Sequence, residues 1–553
     1  MIGNWKEPVM EVLLESEEQI GRNKEKGRGK RQRPNGPPAP TPAAIANQTG
    51  RLLTEREAEW LDRLVVDPAS FAAVEREVHD QARRQADLYV AGLLAKASEH
   101  PEMAQHVDKV TAEAEVPLRP VEKKRRPLVV RLLGGLVITV MTLYCAPRRR
   151  SGKGRGVEGS GLYPELAAYR ISEGSSPNVQ AKVGRLVGQL PIEQARAELA
   201  RDGLELDEKA IRRIAGELGA QMLATRTRDL LRFRAGELPA GNEFADKRVA
   251  VGIDGGRVRV RTVVENIRVS GKMKRKKFRI EWREPKVVIL FETDEKGRMV
   301  KGSRPVIDGT LQGPDALIEL VAFHLHRLGA AKAKLVTVAA DGAPWIWARL
   351  DWVIAQVKLD PARVVEVLDW CHGVHHLSLA LAALDLAQDR RAEQYGRLRT
   401  LLRAGQSQIV IEELERLGAG QPEGSPVWRE IRYLRKHSEA GRLRYNCFRC
   451  RGVPLGSGAI ESTIRRVINL RLKGNGIYWT EDNAEAVFQL RAAVVSGRWE
   501  EIVEHTREAM ARDRRTDWRW TPPECLAELK ELDEEADDVT QTSTRKQSKR
   551  SAA

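Results

Sequence analysis

Apolar residues recur at helical spacing in the first part of the chain. From Leu52 to about Glu115 they repeat every three or four positions, and few residues there break helices. We therefore expect a helical region over 51–118, whose role the pattern does not define. Residues 132–147 alternate β-branched with other residues and are too few to span a membrane, so we expect a strand or hairpin there.

A pair of amphipathic helices is predicted further along. The stretch Pro191 to Gln221 has two helical patterns around a turn at 202–206, with Asp207 in position to cap the second helix. This arrangement suits either a helix-turn-helix that binds DNA or an ordinary helical hairpin. In the DNA-binding interpretation, the basic residues on the second helix are Lys209, Arg212 and Arg213.

Short runs rich in Val and Ile follow the Pro-Gly break at 238–242. The runs KRVAVGIDGG, RVRVRTVVENI, KVVILFET, KLVTVAADGA and RVVEVLDW predict strands, and helical stretches separate the later ones. This order predicts a mixed α/β sheet that begins with antiparallel hairpins. The pattern over 374–445 is then almost purely helical, and a loop and further helices follow in 446–512.

The charge of the chain changes the range of expected partners. Lys and Arg number 93 against 77 Asp and Glu, a formal net charge of +16. Such a surplus favours a polyanion such as DNA, RNA or acidic lipid. Basic clusters border residues 132–147 within the segment 119–240, and a basic run, Lys272 to Arg279, predicts either a hairpin that contacts phosphates or a solvated loop.

Both ends of the chain have polar, charged compositions. Residues 1–50 combine a basic run with Pro and Gly, and 513–553 carry an acidic and then a basic block, so we expect a flexible basic arm and a mostly disordered tail. Five cysteines without a disulfide-like rhythm, an acidic N-terminus and no long apolar run favour a cytoplasmic protein without a membrane partner. Cys447 and Cys450 have zinc-ligand spacing, but a structural zinc site needs four ligands, so one pair alone favours two ordinary thiols.

Three acidic residues are candidates for metal binding. Asp254 and Asp341 each follow a strand apolar enough to be buried, where an ionised carboxylate is costly unless it binds a cation. Carboxyl ends of strands meet at one edge of an α/β sheet, and Glu461, one turn into the helix after Gly-Ser-Gly, could supply a third carboxylate. Three oxygen ligands suit Mg²⁺, with Mn²⁺ as an alternative. The alternative interpretation is that both aspartates only begin Asp-Gly turns.

The segment GVPLGSGAIESTIRRVINLRLKGNGIYWTEDNAEAVFQLRAAVVSGRWEE resembles the signature of DDE transposases of bacterial insertion sequences, specifically the Kra-type (ISKra-like) family. In that pattern, a Gly-Ser-Gly loop precedes the catalytic Glu, and basic, Gly-Trp, Ala-Glu and Leu-Arg positions follow. The matching residues are Gly456, Ser457, Gly458, Glu461, Arg465, Arg466, Lys473, Gly476, Trp479, Ala484, Glu485, Leu490 and Arg491. Residues 176–199 are similar to the region before the family's catalytic core, so the resemblance covers roughly 132–501. The paired cysteines common in relatives are not matched at Cys145.

The resemblance implies an RNase H-like α/β fold. A mixed sheet over 245–373 and 446–512 would be interrupted by a helical insertion at 374–445 and preceded by mainly helical DNA-binding segments. In the wider superfamily the first Asp lies on the first strand, the second after the fourth strand, and the Glu on a late helix. The resemblance thus implies that Asp254, Asp341 and Glu461 hold two Mg²⁺ (or Mn²⁺) ions, with Asp369 and His372 in supporting catalytic roles.

The implied activity is metal-dependent cleavage and joining of DNA by in-line displacement at phosphorus. The enzyme would cut the ends of its insertion sequence and join the freed 3′-hydroxyls to target DNA, as an oligomer on DNA associated with the nucleoid. Residues implied to contact DNA are Arg465, Arg466, Lys473 and Trp479, whereas Trp345, Trp347 and Trp352 are more typical of a core. The alternatives are a nuclease of the same fold that does not join DNA, and a domesticated DNA-binding protein without catalysis.

Overall fold

The structure is a computed structural model, and it describes 11–14, 56–112, 118–120, 125–147, 161–269, 272–510 and 518–523. The chain divides into two compact units. The first comprises Met1–Thr225 and Glu500–Asp517, and the second comprises Arg226–Trp499 and Trp518–Ala553. The basic arm predicted for 1–50 and the tail predicted for 513–553 lie outside the described residues, except for 11–14 and 518–523.

The first unit combines helices with two small sheets. Its described elements, in chain order, are β1 (Glu11–Leu14), α1 (Glu57–Val66), α2 (Phe71–Ser98), α3 (Pro101–Ala112), β2 (Leu118–Pro120), β3 (Arg126–Arg131), β4 (Val137–Thr142), β5 (Cys145–Pro147), α4 (Pro164–Ala168), α5 (Pro177–Gln189), α6 (Ile192–Arg201) and the first part of α7 (Glu208–Arg234). Helices α1 to α3 agree with the helical pattern of 51–118. Residues 132–147 contain β4, so the predicted strand in this range is confirmed. Its antiparallel partner β3 precedes the range, and the two strands pair from Arg126↔Thr142 to Arg131↔Val137.

The predicted helical pair is also present in the first unit. Helix α6 ends at Arg201 and α7 begins at Glu208, and Oδ1 of Asp207 accepts a hydrogen bond of 2.7 Å from the backbone N–H of Ala210. This bond satisfies one of the free N–H groups of the first turn. Helix α7 is longer than the sequence pattern indicated, because it continues to Arg234 in the second unit.

The second unit contains the larger sheet. Its described elements, in chain order, are the end of α7, β6 (Arg248–Gly255), β7 (Val258–Val269), β8 (Lys272–Arg283), β9 (Lys286–Thr293), β10 (Val306–Thr310), α8 (Pro314–Arg327), β11 (Leu335–Ala340), α9 (Pro344–Trp347), α10 (Leu350–Val357), β12 (Val364–Leu368), α11 (Trp370–Ala382), α12 (Gln388–Arg403), α13 (Ser407–Gly418), α14 (Pro426–Glu439), α15 (Tyr445–Cys450), α16 (Gly458–Ile464), the π-helix Arg465–Asn469, α17 (Glu481–Val495) and the start of α18 (Trp499–Met510). The helical pattern predicted for 374–445 is therefore present.

Most of α18 is assigned to the first unit. Arg507 in this helix donates a hydrogen bond of 2.8 Å to the carbonyl oxygen of Pro177, and its Glu500 pairs with Arg185 at 3.1 Å. The sequence had grouped this segment with 446–512 as part of the catalytic core. Its contacts with α5 account for the difference, because the helical pattern alone does not identify which partner a helix packs against.

Five strands form a mixed sheet in the order β10-β9-β6-β11-β12. Strands β10, β9 and β6 pair antiparallel, whereas β11 is parallel to both β6 and β12. The predicted mixed α/β sheet is confirmed, but its assumed second strand is wrong. The run RVRVRTVVENI forms β7, which pairs with β8 in a separate hairpin and not with the strands of the five-stranded sheet. The sheet instead includes β10, whose short sequence VIDGT contains an Asp-Gly pair that is more typical of a turn.

Apolar side chains of the strands pack against helices on both faces of the sheet. Val249, Val251 and Ile253 of β6 belong to one core cluster, which also contains apolar residues of α8 and α10. The opposite side of β11 and β12 packs in a second cluster with residues of α11 to α15, including Leu377 and Leu398. Side chains of consecutive strand residues point to opposite faces. Gly252 and Asp254 therefore face away from α8 and α10. No helix among the described residues is long and apolar enough to cross a membrane.

Candidate active site

Strand register brings three aspartates to the same level of the sheet. Ile253 of β6 pairs with Ala340 of β11, and Ala340 pairs with Leu368 of β12. The next residue after each of these is an aspartate: Asp254, Asp341 and Asp369. Since the three strands are parallel and adjacent, the aspartates lie side by side at one edge of the sheet. The predicted meeting of Asp254 and Asp341 is thus present, and Asp369 joins them.

Asp254 is a partly buried carboxylate on the central strand. It remains paired with Val287 across the sheet, so it does not begin an Asp-Gly turn. Its Oδ1 accepts a hydrogen bond of 2.6 Å from the N–H of Gly255. Burial raises the pKa of Asp254 to about 6, and the negative charge of Asp341 adds to the rise. The ionised form is therefore costly without a nearby positive charge.

Asp341 begins a turn as well as joining the cluster. Its Oδ1 accepts a hydrogen bond of 3.1 Å from the N–H of Ala343, two residues on, and its carbonyl oxygen accepts one of 3.0 Å from Nε1 of Trp347. The turn that the alternative interpretation expected is thus present at this position. The turn uses only Oδ1 of Asp341, so it is compatible with binding of a metal ion by Oδ2.

Asp369 is fully buried and organises its surroundings. Its Oδ1 accepts hydrogen bonds from the backbone N–H and the Nδ1 of His372, at 2.9 and 3.0 Å, and its Oδ2 accepts one from the N–H of Ser457. Burial acts to raise the pKa of Asp369, but the hydrogen bonds from His372 and Ser457 outweigh it and lower the pKa. Asp369 is therefore ionised and acts as an acceptor for two elements.

His372 lies next to the three aspartates, which favour its protonated form. The hydrogen bond to Asp369 raises its pKa, and the charges of Asp369, Asp341 and Asp254 also raise it. His372 therefore interacts electrostatically with all three carboxylates. The supporting role that the resemblance implied for Asp369 and His372 has a physical basis in this arrangement.

Helix α16 brings Glu461 towards the same face of the sheet. Gly252 lacks a side chain, and a Cβ at that position would lie 3.1 Å from the Cβ of Ile460. Ile460 is therefore packed directly on β6 at Gly252, which precedes Asp254 by two residues. Oγ of Ser457 donates a hydrogen bond of 2.7 Å to Oε1 of Glu461. Glu461 is exposed, and Ser457 holds its side chain at the start of the helix.

The donor set fits a hard divalent cation. Asp254, Asp341 and Glu461 offer carboxylate oxygens, which Mg²⁺ and Mn²⁺ prefer. The charged groups that act on Asp254 are Asp341, His372 and Glu284, so acidic charge predominates around it. Within the described part of the chain, however, no group of three or more His, Cys, Asp and Glu is already spaced to hold a metal ion. Two like-charged aspartates and a carboxylate held by Ser457 would have to draw together around a cation.

The basic residues after Glu461 lie on exposed surface. Arg465 and Arg466 belong to the π-helix that continues α16, and both are exposed. The Nζ of Lys473 lies 6.0 Å from the ring centre of Trp282, which is also exposed. Trp479 is instead partly buried, and its Nε1 donates a hydrogen bond of 2.8 Å to the carbonyl of Leu472. Trp479 therefore offers less ring surface for stacking than the sequence suggested.

The other predicted DNA contacts lie in the first unit. Lys209, Arg212 and Arg213 are exposed on the first turns of α7. Arg212 pairs with Glu208 at 2.7 Å, and Arg213 pairs with Glu173. Exposed ion pairs of this kind are weak, so both arginines can exchange partners.

Other signals from the sequence have structural explanations. Trp347 is buried, and Trp345 and Trp352 pack against the same core cluster, as expected. Cys447 and Cys450 are exposed free thiols on α15, and the described residues provide no group that would complete a zinc site.

Ser457 and Tyr433 have roles that the sequence did not reveal. Ser457 was quoted only as part of the Gly-Ser-Gly loop, although a serine four residues before an acid on a new helix could have indicated the bond to Glu461. The half-buried Tyr433 stacks on His376 at 3.6 Å between ring centres, and its hydroxyl lies against Gly342, next to Asp341. No sequence signal connects residues so far apart.

Comparisons of the chain with protein-family models, with curated proteins and with solved structures found no match. The similarity to Kra-type transposases therefore stays a prediction from the sequence motif.

Proposed function

We propose that the chain is a DNA transposase with an RNase H-like core, which cleaves the ends of its insertion sequence and joins their 3′-hydroxyls to target DNA. The observation that carries the proposal is the level placement of Asp254 and Asp341 on adjacent parallel strands, with the helix that carries Glu461 packed on the same strand face. The first acid is on the first strand of the sheet, the second follows the fourth strand, and the third is on a late helix.

The sheet order supports this proposal. Counted along the chain, β6 is the first strand of this sheet and β11 is the fourth. The two are neighbours, so after β10 the chain crosses from one edge of the sheet back to its middle. Ligands of open α/β sheets bind at such a switch point, beyond the carboxyl ends of the strands. Helices α11 to α15 fall between β12 and α16. In this proposal, these helices would be the insertion that interrupts the core.

Asp254, Asp341 and Glu461 would hold two divalent ions, which activate the attacking oxygen and stabilise the leaving oxygen when bound. The chain's own residues prepare this site. Asp369 orients His372 through two hydrogen bonds and fixes the start of α16 through Ser457. Ser457 in turn restrains Glu461. The exposed Arg465 and Arg466 follow on the same helical segment, where they can contact phosphates of the bound strand.

The test uses full-length protein, labelled DNA from the ends of the surrounding element, and a target plasmid, with Mg²⁺ or EDTA. Asp254→Asn and Glu461→Gln are compared with matched exposed controls, Asp351→Asn and Glu393→Gln. We expect metal-dependent cleavage and joining by the parent and both controls. Asp254→Asn and Glu461→Gln should lose at least 100-fold in rate while they still bind the DNA in EDTA, because each removes one charged ligand.

Three outcomes contradict the proposal in different ways. Cleavage without joining under all conditions would indicate a nuclease of the same fold. DNA binding without metal-dependent cleavage would indicate a DNA-binding protein that has no catalytic role. Full cleavage by Asp254→Asn would show that the metal ligands are assigned incorrectly.

A further inference from the structure

A two-stranded hairpin leaves the sheet next to the candidate active site. Strands β7 and β8, twelve residues each, pair antiparallel with one another and with no other strand of the described sheets. The hairpin follows β6 after only Gly256 and Arg257, so its first strand begins close to Asp254. Because a hairpin alone is marginally stable in water, its base needs contacts elsewhere.

The base of the hairpin is fixed to the segment that follows the Glu461 helix. The N–H of Arg261 donates to the carbonyl of Trp479 at 2.8 Å, and the N–H of Trp479 donates to the carbonyl of Arg259 at 3.1 Å. Val258 and Val260 are buried on one face of β7. The hairpin is therefore joined through Gly256 and Arg257 to β6, which carries Asp254, and is hydrogen-bonded to the segment that follows the Glu461 helix.

The opposite face of the hairpin is apolar and exposed. Cross-strand pairs place Arg259 beside Trp282, Arg261 beside Ile280, and Val263 beside Phe278. Trp282 is 56% exposed, Ile280 53%, Val263 41% and Phe278 40%. A contiguous row of large apolar side chains in water is unfavourable and usually marks a binding surface. We call this row, with Arg259 and Arg261, the hairpin face.

Cations lie over the aromatic rings of the hairpin face. The guanidinium of Arg261 lies 4.9 Å from the ring centre of Phe278, and that of Arg259 lies 5.7 Å from Trp282 and 4.7 Å from Tyr478. Tyr478 is itself 37% exposed. Flat rings and planar guanidinium groups thus alternate along one surface, an arrangement that is suited to stacking with bases and to contact with phosphates.

The charge of the hairpin selects among possible occupants. Between Val258 and Arg283 the sequence has ten Lys and Arg against two Glu, a net charge of +8 that is half of the +16 for the whole chain. A second copy of this strongly basic hairpin would be repelled. A polyanion is attracted, and among polyanions a single DNA strand also presents flat apolar surfaces, because its bases are not paired.

We propose that the hairpin face binds an unpaired DNA strand beside the active site, with bases stacked on Trp282 and Phe278 and phosphates contacted by Arg259 and Arg261. This inference rests on the proposed function and specifies its substrate: DNA whose strands are separated near the cleavage site. Duplex DNA can contact the basic side chains, but its paired bases cannot reach the rings. The predicted contact of the 272–279 hairpin with phosphates is thereby extended to recognition of bases.

The test measures equilibrium binding of full-length protein to a fluorescein-labelled 20-nucleotide single strand and to the duplex of the same sequence, in EDTA. Trp282→Ala should weaken single-strand binding about tenfold or more, whereas duplex binding changes less than about threefold, because stacking is lost but charge is kept. Trp282→Phe should restore most of the affinity. Tyr89→Ala is the matched control, since Tyr89 in α2 is also 56% exposed.

A parallel measurement tests the cations. Arg261→Gln should weaken binding to both DNA forms and reduce the dependence of affinity on salt concentration, because one phosphate contact is lost. Trp282→Ala should leave that salt dependence unchanged. The Trp282 side chain is largely exposed, so circular dichroism of this variant should match that of the parent.

The inference is overturned if Trp282→Ala and Phe278→Ala both bind the single strand as the parent does, or lose duplex binding equally. It is also overturned if these variants change the sedimentation of the free protein without an effect on DNA, since the hairpin face would then be a protein interface. Failure of the proposed function has a different signature. In that case no variant or condition gives cleavage, although the binding measurements in EDTA remain valid.

Discussion

Asp369 links the sheet to the helix that carries Glu461, and its replacement by asparagine tests this link. The carboxylate accepts three hydrogen bonds while it is fully buried, two from His372 at Oδ1 and one from the N–H of Ser457 at Oδ2. Asparagine has nearly the same shape, but one of its two side-chain groups is a donor. Either orientation of the amide therefore sets a donor against a buried N–H group.

The magnitude follows from these bonds. Asp369→Asn removes at least one charge-assisted hydrogen bond and leaves a buried donor without an acceptor, which costs about 2–4 kcal/mol. The effect should be concentrated at the start of α16, where Ser457 both donates to Asp369 and restrains Glu461. A displacement of Glu461 by about 1 Å would reduce the cleavage rate up to about 100-fold and raise the Mg²⁺ concentration that cleavage requires.

Hydrogen exchange followed by mass spectrometry is the appropriate assay, because it reports on the amides of Ser457 and His372 separately from the rest of a chain with two units. In Asp369→Asn the amides of Ser457 and His372 should exchange about 30 to 700 times faster, the equivalent of 2–4 kcal/mol. Peptides from α2 in the first unit provide an internal reference. Ser457→Ala is the matched variant: it removes the hydroxyl bond to Glu461 but keeps the N–H bond to Asp369.

Ser457→Ala should lower cleavage and leave exchange at His372 unchanged. The reasoning is refuted if Asp369→Asn exchanges and cleaves like the parent. It is also refuted if Ser457→Ala accelerates exchange at His372 as much as Asp369→Asn does, because the N–H bond would then not carry the link.

Three further predictions concern the sheet and the helices behind it. Gly252→Ala should push α16 from the sheet, because its Cβ would lie 3.1 Å from the Cβ of Ile460 and from Cγ2 of Ile289. Cleavage of the labelled end DNA should fall, and cleavage at the rate of the parent would contradict this packing. Asp308→Asn should lower the free energy of unfolding by about 3–5 kcal/mol in urea titrations, since it leaves the largely buried Arg226 without its carboxylate. Glu208→Gln removes an exposed ion pair and should cost under about 1 kcal/mol. Burial and the charges of Arg442, Lys436 and His376 lower the pKa of His437 to about 3, so its contribution to stability is full above about pH 6.5 and falls as pH decreases towards 3. Between pH 7 and 4.5, the free energy of unfolding measured in urea titrations should fall by about 2–3 kcal/mol more for the parent than for His437→Gln. Equal losses in the two proteins would contradict this assignment.

Local patterns predicted most elements of the fold. Runs of Val and Ile gave β6, β9, β11 and β12, because buried parallel strands need apolar residues on both faces. The same criterion misassigned β7, whose alternating Arg and Val belong to the hairpin, and it missed β10. Strand partners are decided by packing between distant segments, which a single-sequence pattern does not contain.

The candidate site was predictable to the extent that it depends on position along a strand. Asp254 and Asp341 stand at the ends of apolar runs, and parallel pairing then brings them level. The contacts that hold Glu461 in place depend on Asp369 and Ser457, which are 88 residues apart. The hairpin face likewise depends on the register of two strands, since the exposed side of a ribbon changes if the pairing shifts by one residue.

The three Asp-Gly pairs of the sheet explain why sequence alone could not separate the candidate metal ligands from a structural acid. Asp254, Asp341 and Asp308 all precede a glycine at or near a strand end. Asp308, however, is fully compensated: it accepts hydrogen bonds of 2.6 Å from both Arg226 and Gln489 and one of 2.8 Å from His324. Those bonds lower its pKa, whereas burial and Asp341 raise that of Asp254. A buried carboxylate whose neighbours supply positive charge needs no cation, and one whose neighbours are acidic does. The residues that compensate the charge of Asp308 lie up to 181 positions away in the sequence. The same Asp-Gly dipeptide can therefore have a lowered or a raised carboxyl pKa.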